Sequence, residues 1–268
     1  MSNTIFFAHA NGFPSATYSK LFGLLEPHYQ IRSLVQHGHD ANFPVGENWE
    51  RLVDELIHHL QQLSEPVWGV GHSLGGVLHH HAALRQPQLY HGVVMLDSPV
   101  LSPAECLMVR IAKQLKLMDR ITPAGRTLGR REHFPDRHEA HRYFSGKTLF
   151  RHFDADCLDA YVEHALVTEG NALRLRFDPA VEISIYRNAP HTQPARPTQL
   201  TLPLALVRGR HSRVVLPRHA RQVEKLQRGE YHTVHGGHMF PFEHPQATAE
   251  LLQSILQRWH CDAAQEKA

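Results

Sequence analysis

The chain has 268 residues, 42% of them hydrophobic, which suits one large α/β domain, or a core with an inserted cap, around a sizeable buried interior. Its formal charge is only +2, and basic runs are broken by acids, as in Arg130-Arg131-Glu132, so charge alone gives no reason to expect nucleic acid or an anionic membrane as partner. Three widely spaced cysteines, Cys106, Cys157 and Cys261, argue against a disulfide framework and suit a reducing compartment. Met1–Thr4 runs straight into Ile5-Phe6-Phe7-Ala8 without the basic region and long apolar run of a signal peptide. No apolar stretch is long enough to span a bilayer, and a cytoplasmic location is expected.

Apolar runs predict strands at Thr4–His9, Tyr29–Gln36, Val67–Gly71 and Val93–Leu96, then, after a long interval, at Leu204–Val207 and Glu230–Val234. Most lack polar alternation, as strands buried on both faces do. Helical patterning fills Tyr18–Leu25, Trp49–Leu63, Gly75–Arg85, Pro217–Gln227 and Pro245–Trp259, with Pro217 and Pro245 at first-turn positions where no N–H is missed. Strands alternating with helices imply a mostly parallel sheet covered on both faces. From Ser98 to about Leu200 the alternation stops and helical patterning takes over, at Pro103–Arg120, His138–Phe144, Asp156–Val167 and Pro179–Arg187. A connector with Pro190, Pro194 and Pro197 closes the stretch. The expected organisation is a core of residues 1–98 and 201–268 with a helical cap, 99–200, inserted in it.

The strongest chemical signal is Val67-Trp68-Gly69-Val70-Gly71-His72-Ser73-Leu74-Gly75-Gly76. A buried strand ends in Gly-x-Ser-x-Gly and a helix follows at once, the context that a nucleophile elbow requires. Ser73 must sit on a tight turn, so its neighbours two residues away must be small, and Gly71 and Gly75 are. Leu74 would offer its backbone N–H to an oxyanion at the positive end of the helix. A base is expected late in the chain, and His235-Gly236-Gly237-His238-Met239 supplies His238, with His235 and His244 as rivals from the same loop.

Ser73 in Gly-His-Ser-Leu-Gly-Gly, His238 in Gly-Gly-His-Met and His9-Ala10-Asn11-Gly12-Phe13-Pro14 after the first strand together resemble the α/β-hydrolase superfamily, over nearly the whole chain. The resemblance implies that fold, and His9–Pro14 is similar to its His-Gly oxyanion loop. It implies a second oxyanion donor near Asn11, with Gly12 and Phe13 as alternatives. The acid departs from the commonest pattern. Where an aspartate is expected after the penultimate strand, the chain reads Arg208-Gly209-Arg210-His211-Ser212. A serine can orient a histidine but cannot stabilise the imidazolium as an anion does. Asp97, ending Val93-Val94-Met95-Leu96, takes the role, because some members of the superfamily carry their acid at this earlier strand end. It also suits a turn before Pro99.

The expected activity is ester hydrolysis through Ser73, His238 and Asp97 by way of an acyl-enzyme, on a small-molecule substrate with an apolar acyl part and with no metal or organic cofactor. A serine-dependent carbon–carbon hydrolase or a thioesterase shares the same triad, and a binding or signalling protein with little turnover shares the fold. The 24 histidines invite a metal reading, but His58-His59 and His79-His80-His81 are adjacent and point apart on a helix. In the cap, Asp178 and Glu182 suit helix-start roles, and the apolar side chains suit core packing.

Overall fold

The computed structural model describes residues 3–192, 200, 202–224 and 229–265; Pro194, Pro197 and the end of the Pro217–Gln227 helix lie outside them. In chain order the first elements are β1 (Thr4–Ala8), α1 (Ser19–Leu25), β2 (Gln30–Ser33), α2 (Glu50–Gln61), β3 (Val67–His72), α3 (Leu74–Arg85) and β4 (Tyr90–Leu96). They are followed by α4 (Pro103–Gln114), α5 (Met118–Ile121), α6 (Ala124–Thr127), β5 (His133–Phe134), α7 (Arg137–Ser145), α8 (Ala155–His164), β6 (Leu166–Glu169), β7 (Ala172–Leu175) and α9 (Pro179–Arg187). The chain ends with β8 (Leu204–Gly209), α10 (Pro217–Glu224), β9 (Gly229–Val234), α11 (Phe240–Glu243) and α12 (Pro245–Gln265).

Six strands form one parallel sheet in the order β2-β1-β3-β4-β8-β9. Alternate residues of each inner strand feed two different cores, which is why these strands read as unbroken apolar runs. Ile5, Phe7, Trp68, Val70, Val94 and Leu96 pack with Leu252, Ile255, Leu256 and Trp259 of α12. Phe6, Val67, Val93, Met95, Leu204 and Leu206 face the other way, onto Leu52 and Leu56 of α2 and Leu78 of α3.

Between β4 and β8 the described residues add no strand to this sheet. They carry six helices and a second, three-stranded antiparallel sheet in the order β5-β7-β6. Sequence patterning predicts a helical segment here, with no strand assigned in it. The difference lies at Gly170-Asn171, where Gly170 adopts φ 59° and closes a two-residue hairpin between β6 and β7. The predicted Pro103–Arg120 helix also breaks after Gln114, where Lys116 takes φ 55°. Phe134, Phe144, Phe150 and Tyr161 of the segment share one hydrophobic cluster with Phe13, Tyr18 and Phe242. No helix among the described residues is long and apolar enough to cross a membrane.

Candidate active site

Ser73 sits between β3 and α3 at φ 53°, ψ −112°, a left-side backbone conformation that a side-chain-bearing residue adopts only where its surroundings enforce it. Those surroundings need three glycines. A Cβ on Gly71 would overlap the backbone of Gly75, one on Gly75 would overlap the Ala8 carbonyl, and one on Gly76 would overlap Ser98. The Ser73 N–H donates to the Leu96 carbonyl at 2.9 Å, which ties the turn to the end of β4. Leu74 is the first residue of α3, so its N–H has no intrahelical acceptor and points from the positive end of the helix.

The next residue after β4 is Asp97, fully buried and itself at φ 45°. Its N–H donates to the Val207 carbonyl at 2.8 Å. Its carboxylate is held by three donors. Oδ1 accepts from the Gly209 N–H at 2.9 Å, and Oδ2 accepts from the Ser212 hydroxyl and from His238 Nδ1, the latter at 2.7 Å. Ser212 in turn accepts the N–H groups of Val214, at 3.1 Å, and Val215, at 3.3 Å. Ser212, where the acid is ordinarily expected, is therefore hydrogen-bonded to Asp97, the candidate for that role. His238 contacts Asp97, whereas His235 pairs with His244 at 2.9 Å.

A chain of hydrogen bonds links the loop that carries His238 to the loop after β1. The Ala10 N–H donates to Tyr18 Oη at 3.2 Å, Tyr18 Oη meets His72 Nδ1 at 2.7 Å, and His72 Nε2 meets the His238 carbonyl at 2.9 Å. A carbonyl only accepts, so Nε2 of His72 carries the hydrogen, and the Tyr18 hydroxyl donates to Nδ1. Burial pushes the His72 pKa well below its usual range and raises that of Tyr18, which keeps both neutral in these roles. Sequence reading singles out neither residue, because their meeting depends on packing across 54 positions of chain.

In the loop after β1, His9 donates from Nδ1 to the Ala10 carbonyl at 2.8 Å and accepts the His37 N–H on Nε2 at 2.8 Å. The Phe13 N–H is used by the Ala10 carbonyl at 3.0 Å, which takes Phe13 out of the three candidate oxyanion donors. Asn11 is nearly buried, and its Nδ2 donates to the Glu182 carbonyl at 3.0 Å. Gly12, at φ 81°, lies against the Glu182 carboxylate, and a Cβ there would sit 2.9 Å from Oε2. Asp178 caps α9 by accepting the Ala180 N–H at 2.7 Å, as its Asp-Pro context suggests. Glu182 does more than begin a helix. It is buried, pairs with Arg130 at 2.9 Å and accepts from Thr127 Oγ1 at 3.0 Å. Among the described residues no group of three or more His, Cys, Asp or Glu side chains is disposed to hold a metal ion.

The chain matches the alpha/beta hydrolase family over residues 5–251. No curated protein sequence matches it. Among solved structures it is similar to an E-2-(acetamidomethylene)succinate hydrolase, at 22% identity, with 96% of this chain and 91% of that one covered and a TM-score of 0.75. It is similar to a thioesterase domain from the curacin biosynthetic pathway, at 16% identity, with coverage of 93% and 90% and a TM-score of 0.67. It is also similar to an enol-lactonase from Burkholderia xenovorans LB400, at 15% identity, with coverage of 96% and 92% and a TM-score of 0.62. At these identities the likeness shows a shared fold.

Proposed function

The chain belongs to the alpha/beta hydrolase family, and from that premise we propose that it is a serine hydrolase of ester-type bonds acting through Ser73, His238 and Asp97. The observation that carries the reading is the 2.7 Å bond from His238 Nδ1 to the buried Asp97, with His238 anchored through its carbonyl to His72, the neighbour of Ser73. A carboxylate on Nδ1 holds the imidazole in the tautomer whose Nε2 is free to accept a proton.

In this reading Ser73 Oγ attacks the carbonyl carbon as His238 Nε2 takes its proton. The N–H groups of Leu74 and of Asn11 hold the tetrahedral oxyanion. His238 returns the proton to the leaving alcohol, leaving an acyl-Ser73 ester. A water deprotonated by His238 attacks that ester, and its collapse releases the acid and restores Ser73. No group outside the chain is required. Residues 99–200 act as a cap inserted between β4 and β8. Their aromatic side chains Tyr161 and Phe150 pack with Phe13 in one buried cluster, at ring separations of 5.1 and 6.1 Å, which ties the cap to the loop after β1.

A fluorophosphonate probe tests the proposal, because it reacts only with an activated serine. Stoichiometric labelling of the parent and none of a folded Ser73→Ala variant is expected. Absence of labelling in folded parent protein, or equal labelling of the variant, refutes it. A panel of p-nitrophenyl esters and thioesters of increasing acyl length then separates esterase from thioesterase.

A further inference from the structure

We propose that the surface formed by α4 to α6 docks on an anionic lipid surface. The chain-wide charge of +2 conceals how its parts are distributed. Nine large apolar side chains are exposed among the described residues, and six of them, Leu107, Met108, Ile111, Leu115, Ile121 and Leu128, fall in one 22-residue stretch. Exposed apolar groups scattered singly need no explanation, but a concentration of this kind marks a surface that meets something apolar.

On α4 the pattern is geometric. At 3.6 residues per turn Leu107, Ile111, Leu115 and Met108 lie within an arc of about 100°. Cys106 and Ala112 are the buried residues of the helix, and they hold its other side to the protein. The N-terminus of α4 is fixed by a capping box from Ser102 to Glu105, and Glu105 is clamped by Arg218 at 2.7 Å and His219 at 3.0 Å. The apolar stripe is thus presented by a rigidly held helix.

Charge selects the occupant. Residues 107–128 carry five cations and one acid, Asp119. Asp119 is engaged by Arg187 at 2.6 Å, and Lys113 by Glu47. Arg110, Lys116, Arg120 and Arg126 are exposed and have no acidic partner among the described residues. A cleft of about 430 Å³ at the patch edge is lined by Lys113, Lys116 and Arg187 with Glu47 and Asp119, so Lys116 is the ammonium it leaves free for a headgroup phosphate. An apolar stripe flanked by unpaired cations is the signature of a helix lying in the interface of an anionic bilayer. A second copy is disfavoured, because a two-fold contact would set this cationic patch against itself.

Flotation with vesicles tests the proposal, using the intact chain in a Ser73→Ala background so that the readout is independent of catalysis. Binding to phosphatidylcholine vesicles enriched in phosphatidylglycerol is expected, with little binding to phosphatidylcholine alone and release at high salt. Arg110→Gln with Lys116→Gln should weaken binding about thirtyfold, at the usual worth of two cations near a charged surface. Leu107→Asp with Met108→Asp should abolish it, and both pairs are exposed, so circular dichroism should be unchanged. No binding of folded protein to the enriched vesicles overturns the proposal. So does binding that both variants retain, or a concentration-dependent dimer that Leu107→Asp with Met108→Asp disperses.

Discussion

Asp97→Asn separates the displaced acid from a turn-forming aspartate, and the surroundings of the carboxylate dictate its effect. The amide has two orientations in the buried site. With Nδ2 toward Gly209, a donor faces the backbone N–H that now bonds Oδ1 at 2.9 Å, and a buried donor left without an acceptor costs about 1–3 kcal/mol. With Nδ2 toward His238 the Gly209 bond survives, the imidazole accepts on Nδ1 by moving its proton to Nε2, and only the Ser212 hydroxyl, which can rotate, loses its acceptor. The second orientation wins, and it presents a protonated Nε2 that cannot take the proton of Ser73. Turnover should fall about 10⁴-fold, or about 5 kcal/mol of transition-state stabilisation, with the fold retained. Steady-state hydrolysis of a p-nitrophenyl ester measures the loss, and circular dichroism checks the fold. A folded Asp97→Asn enzyme within a few-fold of parental kcat refutes the assignment. Ser212→Ala, which removes one donor to Asp97 and leaves the His238 bond, should cost far less. The order of the two effects is therefore itself a test.

Two other perturbations probe the framework. Burial, only partly offset by the Gly38 N–H, raises Glu55 from 4.5 to about 7. Between those values the folded chain keeps a proton that the unfolded chain has released, so this group removes stability as pH rises through that window. Glu55→Gln keeps an oxygen for Gly38 and discards the charge, so urea unfolding should show it more stable than the parent above pH 7, by up to about 3 kcal/mol, with the gain fading toward pH 4.5. An equal difference at both ends of the range contradicts the reading. Tyr18→Phe removes the hydroxyl between Ala10 and His72 and should lower kcat about tenfold with KM little changed, since the linkage sets the geometry of two loops rather than binding substrate. A rise in KM alone would assign Tyr18 to the substrate pocket.

Much of the fold is legible because burial on both faces leaves so strong a mark. Val67–Gly71 and Leu204–Val207 are read to within two residues of their observed ends, β3 at Val67–His72 and β8 at Leu204–Gly209. The segment between β4 and β8 is less legible for the opposite reason. Its antiparallel strands are short and lie beside strongly helical sequence, so Leu166 and Val167 read as the end of α8. The Gly170-Asn171 turn was the available signal, since glycine opening a two-residue loop is hairpin chemistry.

At the site, what is local was legible and what is distant was not. Ser73 announces itself because its turn demands Gly71, Gly75 and Gly76 nearby in sequence, whereas the bond from Ser212 to Asp97 crosses 115 positions and leaves no periodic trace. The two facts are connected through the sheet. β4 and β8 are neighbours, with Leu96 paired to Val207, so the residues just past their ends must meet. An acid placed after either strand faces the same point, and the unused position needs a small donor to keep the buried carboxylate satisfied. Ser212 meets that need at the position where the acid would otherwise stand. On the proposed assignment the departure from the common pattern is an exchange of places between neighbouring strand ends, and Asp97→Asn combined with Ser212→Asp should return a measurable part of the activity that Asp97→Asn loses.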